Sequence, residues 1–202
     1  MTSPDPILPQ RATPVDAFIS GVDWLFEPYW SGDRLIARLD AGRVTLSDRS
    51  GGPAGPECAE AADAILRAVD ADAAVIDGVW TGQPFGGELP ESVWPERRRA
   101  FVALDLVELE GESLTDVPYQ ERRRLLTSVL EQSARVRVSP AVRLPLEPWL
   151  HAWRSSGFTH YVAKHMNSRY RPGEQVDDWL IVSVEPRKTL MLGLGRPRRS
   201  HR

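Results

Sequence analysis

The side chains with the clearest chemical potential lie in residues 24–34, which read WLFEPYWSGDR. This segment presents a carboxylate at Glu27, a phenol at Tyr29 and a guanidinium at Arg34. A tyrosine can form a covalent intermediate, so Tyr29 is either a nucleophile or a ring that fills part of a pocket wall. An arginine binds phosphate or carboxylate oxygens with two parallel hydrogen bonds. Arg34 therefore either contacts a ligand or braces a sheet through a carboxylate pair.

Lysine is scarce in this chain. The sequence contains 25 basic residues, of which only Lys164 and Lys188 are lysines. A reaction that needs an activated amine nucleophile could use only these two side chains. Lys164 could instead hold a phosphate, or be kept for the packing of its aliphatic stem. The neighbouring His160 and His165 have no cysteine nearby and no ligand spacing on a helix, so we interpret them as solvated histidines.

Length and composition restrict the class of protein. The 202 residues are enough for one large domain, and 42% hydrophobic with 26% charged residues is typical of a globular protein. We find no run of about 18 apolar residues and no secretory signal, so we expect no membrane span and a cytoplasmic location. A single cysteine, Cys58, excludes an internal disulfide. The net charge of −3 gives no global attraction to a polyanion, although a local basic face could bind one.

Hydrophobic periodicity predicts a strand-rich scaffold with three helices, at residues 58–69, 119–132 and 146–157. We expect Trp149 and Trp153, four residues apart on the third helix, to pack in the core. The alternating or apolar runs predict strands at 25–30, 34–40, 43–48, 73–80, 99–109, 134–139, 160–166, 178–185 and 188–195. Residues 81–97 are rich in glycine and proline and predict a long loop. The fold class is therefore α+β, with packed, mainly antiparallel sheets.

The opening segment resembles the signature of the ATP-dependent DNA ligases, which are covalent nucleotidyltransferases. Their pattern is Glu-x-Lys-x-Asp-Gly-x-Arg, in which the lysine amine attacks the α-phosphate of ATP. Glu27, Gly32 and Arg34 keep this frame. Tyr29 stands at the lysine position and Ser31 at the aspartate position.

Three further segments resemble ligase motifs in the same order along the chain. Arg49 matches the arginine of the family's Ser-Arg-x-Gly strand. Asp77 and Gly78 match its Asp-Gly-Glu segment, but Val79 replaces the glutamate. Phe101 opens a match to the family's strand and helix at residues 101–126, and stands where the family stacks an aromatic ring near adenine.

The last matched segments have lost most of their charges. Lys164 is kept from a Glu-Gly-x-Val-x-Lys motif, in which Thr159 replaces the glutamate. Trp179 is kept from a Trp-Leu-Lys-x-Lys motif, in which Ile181 and Ser183 replace both lysines. Adenylation needs a nucleophile, carboxylates for a divalent metal and cations for the phosphates. The resemblance therefore implies a domain that has lost this chemistry.

The resemblance implies the ATP-grasp-like nucleotidyltransferase fold of DNA ligases over about residues 20–185. Because the reactive positions are replaced, we predict no catalytic residue and no metal ligand, with no certain cofactor and ATP bound only without turnover. The candidate nucleotide-binding residues are those at the matching motif positions, namely Glu27, Tyr29, Arg34, Arg49, Phe101 and Lys164.

The domain boundaries and the function are expectations of the same kind. We predict an extended N-terminal arm at 1–20, a ligase-like domain at 21–186, and a terminal strand with a basic tail at 187–202, without the ligases' oligonucleotide-binding barrel. The favoured hypothesis is an inactive domain that binds a nucleotide, a nucleic acid or a protein partner in DNA repair or recombination, and not a membrane. The first alternative is a functional ligase or adenylyltransferase that uses Lys164. The second is a purely structural assembly domain whose pocket is closed.

Overall fold

The computed structural model describes residues 6–82 and 99–185. Its strands are β1 (Arg11–Pro14), β2 (Trp24–Pro28), β3 (Asp33–Asp40), β4 (Arg43–Asp48), β5 (Ala73–Thr81), β6 (Ala100–Leu109), β7 (Glu112–Ser113), β8 (Val136–Val138), β9 (His160–His165) and β10 (Gln175–Ser183). Its helices are α1 (Ala59–Ala68), α2 (Tyr119–Val129) and α3 (Glu147–Ser155), with a short 3₁₀ turn at Pro56–Cys58 before α1. The predicted α+β class is confirmed.

The strands form two sheets. One has the order β1-β10-β9-β2, and the other has the order β4-β3-β5-β6-β7 with β8 beside β6. Within the described residues, pairing is antiparallel except between β1 and β10 and between β6 and β8. The prediction of mainly antiparallel sheets is therefore also confirmed.

The core has two main layers because β5 and β6 are buried on both faces. On one face, Phe101 and Trp80 pack with residues of α1 and α2, such as Ile65. On the other face, Val79 and Val102 pack with residues of the four-stranded sheet and of α3. The two sheets therefore lie face to face, and α1 and α2 cover the outer face of the larger sheet.

Two local expectations differ from the structure. The described part of the expected N-terminal arm contains β1, which pairs with β10 and so belongs to the sheet. Trp153 is buried, but Trp149 is 45% exposed, so the expectation that both tryptophans are core residues is wrong for Trp149. A separation of four residues places both tryptophans on the same side of α3, but only the part of that side around Trp153 is buried. The boundary at residue 20 stays a prediction.

Several predicted features fall outside the described residues. They are most of the loop at 81–97, the strand at 188–195 and the basic tail. Among the helices of residues 6–82 and 99–185, none has the length and apolar character needed to cross a membrane.

Candidate functional site

A cleft of about 870 Å³ lies where the two sheets meet. This volume is within the usual range for small-molecule sites. Five of the six candidate residues line it, namely Glu27, Tyr29, Arg34, Arg49 and Lys164. The matched motif positions, which are far apart in the chain, thus come together in one cavity.

Tyr29 is held at the end of β2 with its ring in the cleft. Its backbone N–H donates to the carbonyl of His160 at 3.0 Å, and its ring meets the His160 ring edge-on at a centroid distance of 6.3 Å. The residue remains 40% exposed. The turn after it requires Gly32, whose φ is +149° and whose added Cβ would lie 2.4 Å from the carbonyl oxygen of Trp80. The backbone at Gly32 therefore lies against β5, directly before β3 begins, and this contact helps to position Arg34.

Glu27 and Lys164 form a buried ion pair at the base of the cleft, with exposed fractions of 1% and 2%. The Lys164 Nζ lies 3.1 Å from Glu27 Oε2, 2.9 Å from the carbonyl oxygen of Leu104 and 3.3 Å from the hydroxyl of Tyr119. The Tyr119 hydroxyl in turn donates to Glu27 Oε1. The rings of Tyr119 and Trp179 lie 4.6 and 4.2 Å from the amine.

Two effects act on the charge of this amine. Burial lowers the pKa of Lys164, while the nearby charges of Glu27 and Asp105 oppose that shift. The geometry favours the ammonium form, because each of its three N–H donors has an acceptor. An ammonium has no lone pair and cannot attack an electrophile.

Arg34 braces β3 against β5 at the wall of the cleft. Its Nε and Nη2 donate to the two carboxylate oxygens of Asp77 at 2.6 and 2.7 Å. The hydroxyl of Tyr170 also donates to Asp77, at 2.8 Å. Burial opposes the charge on Arg34, but the attraction and hydrogen bonds of Asp77 raise its pKa above the usual value. Arg34 therefore braces the sheet, and it also lines the cleft, where its contact with a ligand stays a prediction.

Arg49 and Arg11 are exposed residues of the cleft wall. Arg49 follows β4, and Arg11 is the first residue of β1. Sequence reasoning missed Arg11, as it missed the neighbouring Gln10 and Trp179, which also line the cleft. The Trp179 motif was noticed, but no pattern predicted the pairing of β1 with β10, which places Arg11 opposite Gln175.

Phe101 does not lie in the cleft. It is fully buried on the face of β6 that packs against α1, and it fills the space left by Gly78, where an added Cβ would lie 2.3 Å from its ring. The cleft is lined instead by Leu104, from the opposite face of β6. Because both faces of β6 are apolar, the sequence did not show which face holds the site.

Two positions that carry charges in the ligase motifs hold apolar side chains in the cleft wall. Val79 and Ile181 both line the cleft. Within the described parts of the chain, no three His, Cys, Asp or Glu side chains are grouped as metal ligands would be. Val79 and Thr159 stand at the two carboxylate positions that the resemblance assigns to a divalent metal, so those two ligands are replaced.

Comparison of the sequence with known proteins identifies the family of this chain. A model of the ATP dependent DNA ligase domain matches residues 6–182. The multifunctional non-homologous end joining DNA repair protein LigD of Mycobacterium tuberculosis is 29% identical over 175 residues, which cover 81% of this chain and 22% of LigD. A DNA ligase of Thermococcus fumicolans is 26% identical over 221 residues, which cover 97% of this chain and 40% of that ligase.

Solved structures agree with this relationship. The ligase domain of M. tuberculosis LigD has a TM-score of 0.70 and 28% identity, and the match covers 89% of this chain and 60% of that one. A mycobacterial DNA ligase D complexed with ATP and MES also has a TM-score of 0.70, with 27% identity over 90% of this chain and 62% of the other. The chain thus spans less than two thirds of each relative, yet nearly all of its described residues fall within the family match. It belongs to the family of ATP-dependent DNA ligase domains.

Proposed function

We propose that this ligase-like domain binds a nucleotide or a nucleic-acid end in its cleft without forming a covalent adenylate. The observation that carries the proposal is Tyr29, which occupies the motif position of the lysine nucleophile and presents its ring to an open cleft. A phenol is a different nucleophile from an amine, and its attack on the α-phosphate would give an ester in place of a phosphoramidate. ATP binding is a reasonable expectation because a related ligase structure contains ATP.

The cleft has also lost some of the charged groups that the resemblance assigns to transfer of a nucleotidyl group. Such transfer depends on cations and metal ions that stabilise charge on the phosphates. Val79 and Ile181 place hydrocarbon at two of those motif positions. Loss of a single donor of this kind usually costs about 3–4 kcal/mol of transition-state stabilisation. The combined losses leave binding as the function that the remaining residues support.

The alternative of a relocated nucleophile has little support from the geometry of Lys164. All three ammonium donors are engaged, and the side chain is 2% exposed. The alternative of a closed assembly domain conflicts with the open volume of the cleft. On the basis of the LigD relative, we propose a role in DNA end joining or repair. We also propose that the whole protein acts there with a protein partner.

The test is the intact mass of the purified chain after incubation with ATP and Mg²⁺ or Mn²⁺. We expect no added adenylate, together with nucleotide binding detected by calorimetry. An added adenylate would overturn the proposal, and peptide mapping would assign it to Tyr29, Lys164 or Lys188. A ligase active in the same buffer serves as the positive control.

A Tyr29→Lys variant sharpens this test. It restores an amine at the motif position but leaves Val79 and Ile181 in the cleft wall. We therefore expect this variant also to remain unmodified by ATP and Mg²⁺. Adenylation of the variant would show that the nucleophile alone had been lost.

A further inference from the structure

We propose that residues 6–14 form a strap that closes one side of the cleft and detaches while both sheets stay folded. Detachment opens a route from solvent to the base of the cleft. Four residues of the strap line the cleft, namely Pro9, Gln10, Arg11 and Ala12. The inference concerns access to the cleft and does not depend on which ligand binds there.

The strap is attached to both sheets. On the side of the four-stranded sheet, β1 pairs with β10, and the Arg11 N–H donates to the carbonyl of Glu174 at 2.8 Å. The Gly173 N–H donates to the carbonyl of Leu8 at 3.1 Å. On the side of the larger sheet, Leu8 lies against Gly51, which follows β4, and a Cβ added at Gly51 would lie 2.9 Å from Leu8 Cδ2. Leu8 therefore contacts loops of both sheets.

Gln10 closes a ring of hydrogen bonds in the cleft wall. Two bonds of this ring belong to the body of the domain and are short, since Arg34 and Tyr170 donate to Asp77 at 2.7 and 2.8 Å. The two bonds that the strap adds are longer. The Gln10 N–H donates to the Tyr170 hydroxyl at 3.2 Å, and Arg34 Nη2 lies 3.5 Å from the Gln10 carbonyl oxygen. Because hydrogen bonds weaken at these lengths, the ring opens first at the strap, and the bond from Tyr170 to Asp77 still joins the two sheets.

The strap buries little apolar surface, and it buries an unsatisfied donor. Ile7, Leu8 and Ala12 are half-buried, and β1 is only four residues long with a shift in its register to β10. Gln10 is 1% exposed, and its Oε1 accepts a hydrogen bond from the Arg171 backbone. Its Nε2 has no hydrogen-bond partner within residues 6–82 and 99–185. Since a buried donor without an acceptor is unfavourable, docking of the strap is weakly favoured, as expected for a segment that opens locally.

Lys164 can report on detachment because it lies at the base of the cleft. Its side chain is 2% exposed, so an amine-reactive reagent reaches it only when the cleft opens. The chain contains one other lysine, Lys188, which serves as the internal reference. Peptide mapping separates the two modifications.

The experiment combines hydrogen exchange, measured at individual amides of the full chain, with amine modification under native conditions. The variant is Leu8→Ala, and the matched control is Leu66→Ala, which shortens an exposed leucine of α1. In the wild type, we expect the amides of Arg11 and Gly173 to exchange faster than those of β6. Leu8→Ala should speed their exchange and the modification of Lys164 about tenfold, which is about 1.4 kcal/mol in the opening equilibrium, and leave β6 unchanged. The control should match the wild type.

A disulfide across the strap provides the opposite perturbation. A Leu8→Cys/Gly173→Cys variant is suitable because a Cβ added at Gly173 would lie 3.4 Å from the Leu8 Cβ, close to the roughly 3.5–4.5 Å found in disulfides. A Cys58→Ala background removes the natural cysteine, so that only this pair can form. We expect the oxidised form to slow modification of Lys164 about tenfold relative to the reduced form, with Lys188 modified equally in both.

Three results would overturn this inference. Exchange of the Arg11 and Gly173 amides that is no faster than exchange in β6 would show that the strap leaves only when the domain unfolds. Modification of Lys164 that oxidation does not slow would show that solvent enters the cleft by another route. A cysteine pair that stays reduced would contradict the docked position of Leu8. None of these results bears on nucleotide binding, which calorimetry decides separately.

Discussion

Replacing Lys164 by methionine should lower the free energy of unfolding by about 3–5 kcal/mol, the usual effect of removing one partner from a buried ion pair. The variant would leave Glu27, which is 1% exposed, without its nearest cation. Two neighbours reduce the loss. The Tyr119 hydroxyl still donates to Glu27, and the Arg123 Nη1 lies 3.6 Å from its Oε1. We therefore expect the lower half of that range.

Urea unfolding followed by tryptophan fluorescence measures this difference, because the midpoint shifts while the slope stays constant for a two-state change. A Lys164→Met/Glu27→Gln double variant completes the cycle. Since it contains no buried charge at either position, it should be more stable than the single variant. The matched control is Arg67→Met, which replaces an exposed arginine of α1. It should change the free energy of unfolding by less than about 0.5 kcal/mol.

A loss below about 1 kcal/mol for Lys164→Met would refute this reasoning, since it would mean that the amine is not a buried, paired charge. The same result would reopen its assignment as a nucleophile. A double variant less stable than the single one would show that Glu27 contributes through contacts other than the ion pair.

Two further predictions follow from the same geometry. Gly32→Ala should destabilise the chain by about 2–4 kcal/mol, because it combines a strained φ with a clash against the Trp80 carbonyl. The control is Gly82→Ala, whose added Cβ would have no atom of residues 6–82 and 99–185 within 4 Å, and it should be nearly neutral in the same unfolding assay. Burial holds the pKa values of Tyr119 and Tyr170 well above 10, so at about pH 10.5 fewer tyrosines should ionise in the folded chain than in urea, as measured by absorbance near 295 nm. Because these pKa values are raised on folding, the free energy of unfolding should fall as the pH rises past 10. Equal tyrosine ionisation in the folded and the urea-unfolded chain would contradict the burial of both hydroxyls.

Five of the six residues that the resemblance selected line one cleft. Glu27, Tyr29 and Arg34 lie on one strand-turn-strand segment, so their proximity follows from local geometry. Lys164 joins them because β9 pairs with β2, with Leu25 opposite Lys164. The resemblance had grouped Lys164 with these residues as candidates, but it did not predict the strand pairing that brings them together.

Two assignments depended on information that local sequence patterns do not carry. Phe101 was expected in the pocket, but the β6 run is apolar on both faces and period-two alternation does not say which face meets the cleft. Arg11 was missed because its position depends on β1 pairing with Gln175, far along the chain. Neither assignment was available from local patterns.

The burial of the retained motif residues explains why a ligase-like site can persist without ligase chemistry. Glu27, Asp77 and Lys164 are at most 2% exposed, and each is paired inside the domain, so replacing any one would leave an uncompensated buried charge. Tyr29, at the nucleophile position, is 40% exposed, and a side chain there can change with little effect on folding. Folding stability alone therefore accounts for these three retained motif residues. Their presence is consequently not an argument for adenylation, and the decision depends on the exposed positions of the cleft.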